Sequence, residues 1–422
     1  MREMLAQAIN AHREAAFAFL EALVGAPSQL GSEQTALEIF AREAQALGLQ
    51  TERLSFPNTA MVDPRAGIST EMPTSLNRYQ VLAATPGEGA LRLLLNGHMD
   101  VVPAQSPELW SAPPFEPVRR DGRLYGRGAA DMKSGFAVGM LALRALRDVV
   151  PDLFADARLG FLAVIEEECT GNGTLHATAE HGVLAREVVL LEPTDLGLLL
   201  GGVGILWVDI KVATPSGHAY AATAVNAVEL GMRLVDGLRR WADDLQDAFP
   251  EPAIGSNQRA YNINLGKVQA GDWTSSVPAS AVFSVRIGFP RAWTPEKAEM
   301  EVRDTIAGLA ERDRDFPLQP VVTLSGFRAK GHLIDQAAPL VRDLAAAHAA
   351  AHGAAPAAFM IGSTSDARIY LEDFATPAVC YGAIGYNLHG VDESVDLQSI
   401  ADAALTLALF LLKRFGDEVA AA

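Results

Sequence analysis

Three apolar runs in this chain stop abruptly at acid or imidazole. Leu91–Gly97 gives way to His98 and Asp100, Leu159–Ile165 to Glu166, Glu167 and Glu168, and Val188–Leu191 to Glu192. Between and after them lie two glycine-flanked segments, Gly126–Lys133 around Asp131 and Gly385–Gly390 around His389. Runs of this length and apolarity read as buried strands. Charged groups at the ends of buried strands are costly unless something offsets their desolvation. A pair of divalent cations would do so, which makes this pattern the strongest constraint on fold and chemistry alike.

The chain has 422 residues, more than one compact core normally holds, so two domains are expected. With 34 basic against 51 acidic residues the net charge is −17, which argues against nucleic acid and anionic membrane as partners. Cys169 and Cys380 are too few for a disulfide scaffold in a chain of this size, and no Cys-x-x-Cys spacing supports a zinc thiolate at Cys169. The first residues mix both charge signs at helical spacing and read as an amphipathic helix, not a signal peptide. No run approaches the ~20 apolar residues of a membrane span. A cytoplasmic location is therefore expected.

Helices are expected at 4–25 and 32–48, with Ser32 as N-cap and Gly48 as stop. Strands are expected near 78–84, 91–97, 158–165 and 187–191, with 133–146 as a crossover helix. This alternation implies an α/β domain with a mostly parallel sheet. After Gly202 the pattern changes to strand 205–212, helix 224–245, strands 261–268 and 281–287, helix 295–312 and strand 321–325. The order βαββαβ is the ferredoxin-like split motif. The expected organisation is a catalytic domain in two parts, 1–202 and 326–422, with an inserted α+β domain over 203–325. A helix over 337–353, a strand over 377–381 and a helix over 397–415 complete the second part.

Each candidate residue has an ordinary alternative. His98 and Asp100 share a face on a strand end, so the carboxylate is placed to hydrogen-bond the imidazole and fix its tautomer; a solvated turn is the plain alternative. Asp131 suits a bridging carboxylate but equally an N-cap. Neighbouring residues on an ideal strand face opposite ways. Two of the three adjacent glutamates can therefore meet one site only if the backbone leaves strand geometry, as Thr170–Gly173 suggests. Glu192 could simply end a strand in water, and His218 and His389 could be solvated loop histidines. Taken together, oxygen and imidazole donors at strand ends, where ligands bind in parallel α/β sheets, suit zinc.

These stretches resemble the M20 metallopeptidase and deacylase family, whose branches include acetylornithine deacetylase and succinyl-diaminopimelate desuccinylase. The matching segments are Asn96–Pro103, Gly126–Lys133, Glu166–Thr174, Glu192–Thr194, and His389 with Glu393. The resemblance covers nearly the whole chain. It implies two zinc ions, with cobalt or manganese as other metals the donors would accept. His98 and Glu192 would hold one ion, Glu168 and His389 the other. Asp131 would bridge them, Asp100 would support His98, and Glu167 would be the general base. The inserted domain would be a lid and homodimer contact whose His218 reaches the partner subunit's site. Arg286 matches a lid arginine associated with a substrate carboxylate, and Asp366 and Arg368 lie in a segment matching a substrate-side loop. Ser276 stands where many members carry Asn. The implied activity is removal of an N-acyl group from an amino acid or similar small amine. A dipeptidase or carboxypeptidase on the same site is the runner-up, and a non-catalytic scaffold the remote alternative.

Overall fold

The computed structural model describes residues 1–87, 89–155, 157–254 and 259–419. The largest sheet is nine-stranded and mixed. Its centre is four parallel strands in the spatial order Leu159–Val164, Leu91–His98, Ala185–Leu190 and Ala378–Cys380. Three of these strands are buried along most of their length and Ala185–Leu190 over its second half, because the sheet is covered on both faces, which is why they read as apolar runs. Antiparallel strands flank them, Tyr79–Ala84 and Gln50–Ser55 on one side, Leu198–Gly202 and His332–Leu333 on the other, and the ninth strand, Ala358–Ile361, pairs parallel with Leu198–Gly202.

Helix Lys133–Val149 makes the crossover between Leu91–His98 and Leu159–Val164. Every residue from Lys133 to Leu143 is buried. Such burial needs small side chains where the backbone comes close: a Cβ on Gly135 would lie 2.2 Å from the Leu191 carbonyl oxygen. Helices Arg2–Val24 and Leu397–Val419 pack beside it over the main hydrophobic core. Helix Gln34–Leu47 ends at Gly48 in the left-handed conformation, as expected, but its N-cap is Glu33 rather than Ser32.

The inserted part is a separate four-stranded antiparallel sheet with its own hydrophobic cluster. Its order is Ile263–Ala270, Ser280–Phe289, Gly204–Ala213 and Val321–Ala329. Helices Ala227–Ala248 and Pro295–Arg312 pack against it, giving the βαββαβ order. Asn226 and Thr294 cap these helices through their side chains. The last strand runs past residue 325 and is broken by a bulge between Leu324 and Arg328. The bulge carries Gly326 to Ile68, where backbone hydrogen bonds of 2.7 and 3.1 Å tie the inserted domain to the main one. Among the described residues no helix is long and apolar enough to cross a membrane.

Candidate metal centre and cleft

The parallel strands deliver their polar termini to one place. His98, 1% exposed, ends its strand with Nε2 at 3.2 Å from Asp131 Oδ1, 3.8 Å from Glu192 Oε2 and 3.9 Å from Glu167 Oε2. His389 Nε2 stands 3.0 Å from Glu168 Oε2 and 3.3 Å from Asp131 Oδ2. Asp131 therefore presents one oxygen to each imidazole. Donor atoms of His98, Asp131 and Glu168 all lie within 4.8 Å of one another.

The glutamate run is divided by its backbone. The strand stops at Val164, and Glu166 takes a left-handed φ of 63°. That break lets Glu167 and Glu168 both face the centre, while Glu166 turns away to pair with Arg78 at 2.8 Å and to accept from Ser69 and Thr170 at 2.9 Å each. Glu166 and Arg78 are both buried, so each supplies the other's counter-charge.

Two supports differ from expectation. The His98 Nδ1–H donates to the backbone carbonyl of Asp100 at 2.9 Å, not to its carboxylate, which is 3.8 Å away. A carbonyl can only accept, so Nδ1 carries the proton and Nε2 is free to act as a ligand. The Asp100 carboxylate instead accepts from the backbone N–H groups of Glu167 and Glu168 at 3.3 and 3.1 Å. It shapes the glutamate turn rather than the imidazole. Glu393, four residues after His389, has a role that its sequence surroundings do not show. Buried, it accepts from the backbone N–H groups of Gly128, Ala130 and Asp131 at 3.0, 3.0 and 2.9 Å, and from Arg127 at 2.6 Å. It fixes the loop that carries Asp131; that loop includes a cis peptide between Asp131 and Met132.

The centre opens into a cleft of about 870 Å³. One wall is the cleft-facing side of the inserted sheet, including Arg286, which donates to Asn262 Oδ1 at 2.6 Å and Ser363 Oγ at 2.9 Å. Burial pushes the Arg286 guanidinium down to about 10. Asp366 and Arg368 do not line the cleft. Asp366 accepts from Thr174 at 2.5 Å and Arg368 donates to the Thr170 carbonyl, so both sit behind the wall and hold the Thr170–Thr174 turn. Ser363, Thr364 and Ser365 of the same segment are the residues that reach the cleft. His218 is exposed on a loop of the inserted domain, with its ring tilted against that of Tyr220 and its backbone bridged to Ser276, and is not part of this chain's cleft wall. Cys169 and Cys380 are free thiols, and burial beside acidic groups pushes both well above the ordinary thiol range. Neither is an activated nucleophile.

The electrostatics of the centre are those of crowded acids. Burial, reinforced by neighbouring carboxylates, raises Glu167 well above the carboxylate range, raises Glu168, and lifts Glu192 to about 8. Burial alone would depress both histidines, but the surrounding acids carry His98 well above its ordinary value and His389 to about 11. Asp131, between the two imidazoles, is held below the ordinary range despite its burial. Glu168 Oε1 is buried with no hydrogen-bond partner. A buried carboxylate oxygen without a donor, among like charges, is an atom that a divalent cation would satisfy. The donors converging here are carboxylate oxygen and imidazole nitrogen, a set that fits zinc and related divalent ions.

The chain is similar in sequence and in fold to known proteins. Its sequence is 30% identical over 405 residues, 92% of each chain, to succinyl-diaminopimelate desuccinylase of Caulobacter sp. (strain K31). Its fold is similar to that of the di-peptidase Dug1p from Saccharomyces cerevisiae, with a TM-score of 0.79 at 14% identity over 99% of both chains. A dinuclear metal binding peptidase of the M20 family from Bacillus subtilis superposes with a TM-score of 0.58 at 14% identity, covering 96% of this chain and 98% of that one. Residues 94–413 match the profile of peptidase family M20/M25/M40, and the chain is a hydrolase of that family.

Proposed function

We propose that the chain is a metal-dependent amidohydrolase that removes an N-acyl group from an amino acid or related small amine. The observation that carries this reading is the Asp131 carboxylate, set between His98 and His389 with one oxygen toward each. His98 and Glu192 would hold one zinc ion, Glu168 and His389 a second, and Asp131 would serve both. When bound, such ions supply a Lewis acid and a water whose pKa is lowered toward ~7.

Glu167 is the proton carrier in this reading. Its carboxylate lies at the cleft beside the metal donors, with Oε2 3.9 Å from His98 Nε2. It takes a proton from the attacking water and returns it to the departing amine nitrogen as the amide C–N bond breaks. Asp100 and Glu393 act through the backbone, holding the Glu167–Glu168 turn and the Asp131 loop. Arg286 is the residue we assign to a substrate carboxylate, because it is cationic and lines the cleft. The inserted domain is read as a homodimer contact, through which His218 would enter the partner subunit's cleft and help stabilise the developing oxyanion. Asp366 and Arg368 are read as supports for the Thr170–Thr174 turn and not as substrate contacts.

The test is metal content of the purified protein together with amine release from a panel of N-acetyl and N-succinyl amino acids and of dipeptides. About two zinc ions per chain and chelator-sensitive deacylation are expected. Turnover of dipeptides alone would replace this reading with a peptidase. Absence of metal after reconstitution would remove it.

A further inference from the structure

The chain between strands Gln50–Ser55 and Tyr79–Ala84 adds no strand to any sheet, yet it touches both domains as a strap. Ile68 bridges Gly326 on the bulge of the inserted sheet, and Arg328 of the same strand donates to the Pro64 carbonyl at 3.1 Å. On its other side the strap meets the acidic turn. A Cβ on Gly67 would lie 2.8 Å from the Gly326 carbonyl oxygen and 2.9 Å from Thr170 Cβ, so strap, inserted domain and turn converge on this one residue.

One buried side chain clamps the strap. Asn172, 1% exposed, opens helix Asn172–Ala179 directly after the turn. Its Oδ1 accepts the Gly67 N–H at 2.9 Å and its Nδ2 donates to the Gly67 carbonyl at 3.1 Å, closing a ring of two hydrogen bonds with that residue. Nδ2 also donates to Ser69 Oγ at 2.7 Å. An amide nitrogen can only donate. Ser69 therefore accepts there, which leaves its single proton for Glu166 Oε2 at 2.9 Å. Glu166 is the residue whose left-handed backbone turns Glu167 and Glu168 toward the metal donors.

We propose that Asn172 is a positioning residue that couples the inserted domain to the Glu167–Glu168 turn. It seats the strap that carries Ile68 against Gly326 and, through Ser69, orders the Glu166 carboxylate. The consequence for turnover rests on the deacylase reading, but the coupling needs only a metal at the centre. Binding linkage is reciprocal. A seated strap that favours the metal-holding turn requires that the metal favour the seated strap by the same factor.

Asn172→Asp is nearly isosteric but reverses the relay. Its carboxylate faces the Gly67 carbonyl, another acceptor, and competes with Glu166 for the one Ser69 proton. The experiment follows hydrogen exchange of the full chain by mass spectrometry, with and without saturating zinc, in segments 66–70 and 324–328, where Ile68 and Gly326 donate to each other's carbonyls. Zinc is expected to slow exchange there about tenfold in the wild type and about twofold or less in Asn172→Asp. Ser69→Ala, at a half-buried position, should lose the effect as well, and Ser69→Thr, which keeps the hydroxyl, should retain it. In Asn172→Asp the kcat for whichever N-acyl compound is hydrolysed should fall about 10–100-fold, with KM within about threefold of the wild type. Exchange that ignores zinc in the wild type, zinc-dependent protection that survives both Asn172→Asp and Ser69→Ala, or an unchanged kcat in Asn172→Asp overturns the proposal. Protection lost in both variants, with no N-acyl compound hydrolysed by the wild type, leaves the coupling standing and removes the deacylase reading. Hydrolysis by a wild type whose exchange ignores zinc does the reverse.

Discussion

The Glu393 carboxylate accepts the backbone N–H of Asp131 at 2.9 Å, across 262 positions of sequence. The same carboxylate gathers Gly128, Ala130 and Arg127, so the loop bearing the central acid is held from behind by another acid. Outer supports of this kind typically change metal affinity about 10–100-fold when removed. Glu393→Gln is expected to weaken zinc binding by that factor in a competition titration with a chromogenic chelator. Unaltered affinity would show that the loop holds its shape without this carboxylate.

Glu167→Gln should lower kcat by at least about 10²–10⁴-fold, the usual worth of general acid–base help. Metal content should stay near that of the wild type, because the proposed ligands are untouched. A variant that retains zinc and full turnover removes Glu167 from the reaction.

Zinc should stabilise the chain strongly, since it relieves repulsion among buried carboxylates. A ligand at about 1,000 times its Kd adds ~4 kcal/mol to the folded state. The melting temperature is expected to rise by several degrees on zinc addition and to fall back with chelator. Asp131→Asn should lose most of that rise; an undiminished rise in this variant would place the ion elsewhere.

Glu166 is a stability residue, not a ligand. Removing one partner of a buried ion pair costs about 3–5 kcal/mol, because the other charge is left uncompensated. Glu166→Ala leaves Arg78 buried with Glu33 no nearer than 4.0 Å. Urea unfolding of the chelator-treated protein should register a loss of that size, and a loss below about 1 kcal/mol would contradict the pairing.

His332 predicts an acid-sensitive core away from the metal donors. Burial, with Arg368 and Arg291 nearby, pushes its imidazole from the ordinary ~6.5 down to about 3. Above pH ~6.5 both folded and unfolded chains hold it neutral, and it adds no pH dependence. Below that, only the unfolded chain takes up the proton. Stability is therefore lost as pH falls from ~6.5 toward 3, at up to about 1.4 kcal/mol per pH unit. His332→Phe should remove one proton from the uptake on unfolding between pH 6 and pH 4, measured by denaturant titrations of chelator-treated protein. Identical slopes in variant and wild type would mean the imidazole is charged in the folded state.

Much of the centre could be read from the sequence because its donors sit where chain patterning changes. His98, Glu167 with Glu168, and Glu192 each follow an apolar run that had to be a strand, and parallel strands bring their ends together. What escaped was contact at long range. Nothing near Glu393 announces the Asp131 loop, and nothing near Asp366 announces that Thr174 lies over it. Gln50–Ser55 was missed as a strand because it is an edge strand with mostly exposed, polar residues and no apolar alternation. The partner of His98 Nδ1 was misassigned for a related reason. An i, i+2 spacing places a residue's carbonyl and its carboxylate in the same neighbourhood, and the backbone oxygen won.

Gly326 is wedged at the junction of the two domains. A Cβ there would lie 2.2 Å from the Trp207 ring and 3.0 Å from the Cys169 carbonyl oxygen, and its own carbonyl accepts the Ile68 N–H. Cys169 directly follows Glu168, and Trp207 belongs to the wall that faces the ligand. One methyl group's worth of space therefore governs both the tilt of that wall and the pose of the acidic turn. A change in cleft width cannot be made at this corner without also disturbing the acids beneath it, so the shape of the cleft and the pose of the Glu167–Glu168 turn share a single tolerance.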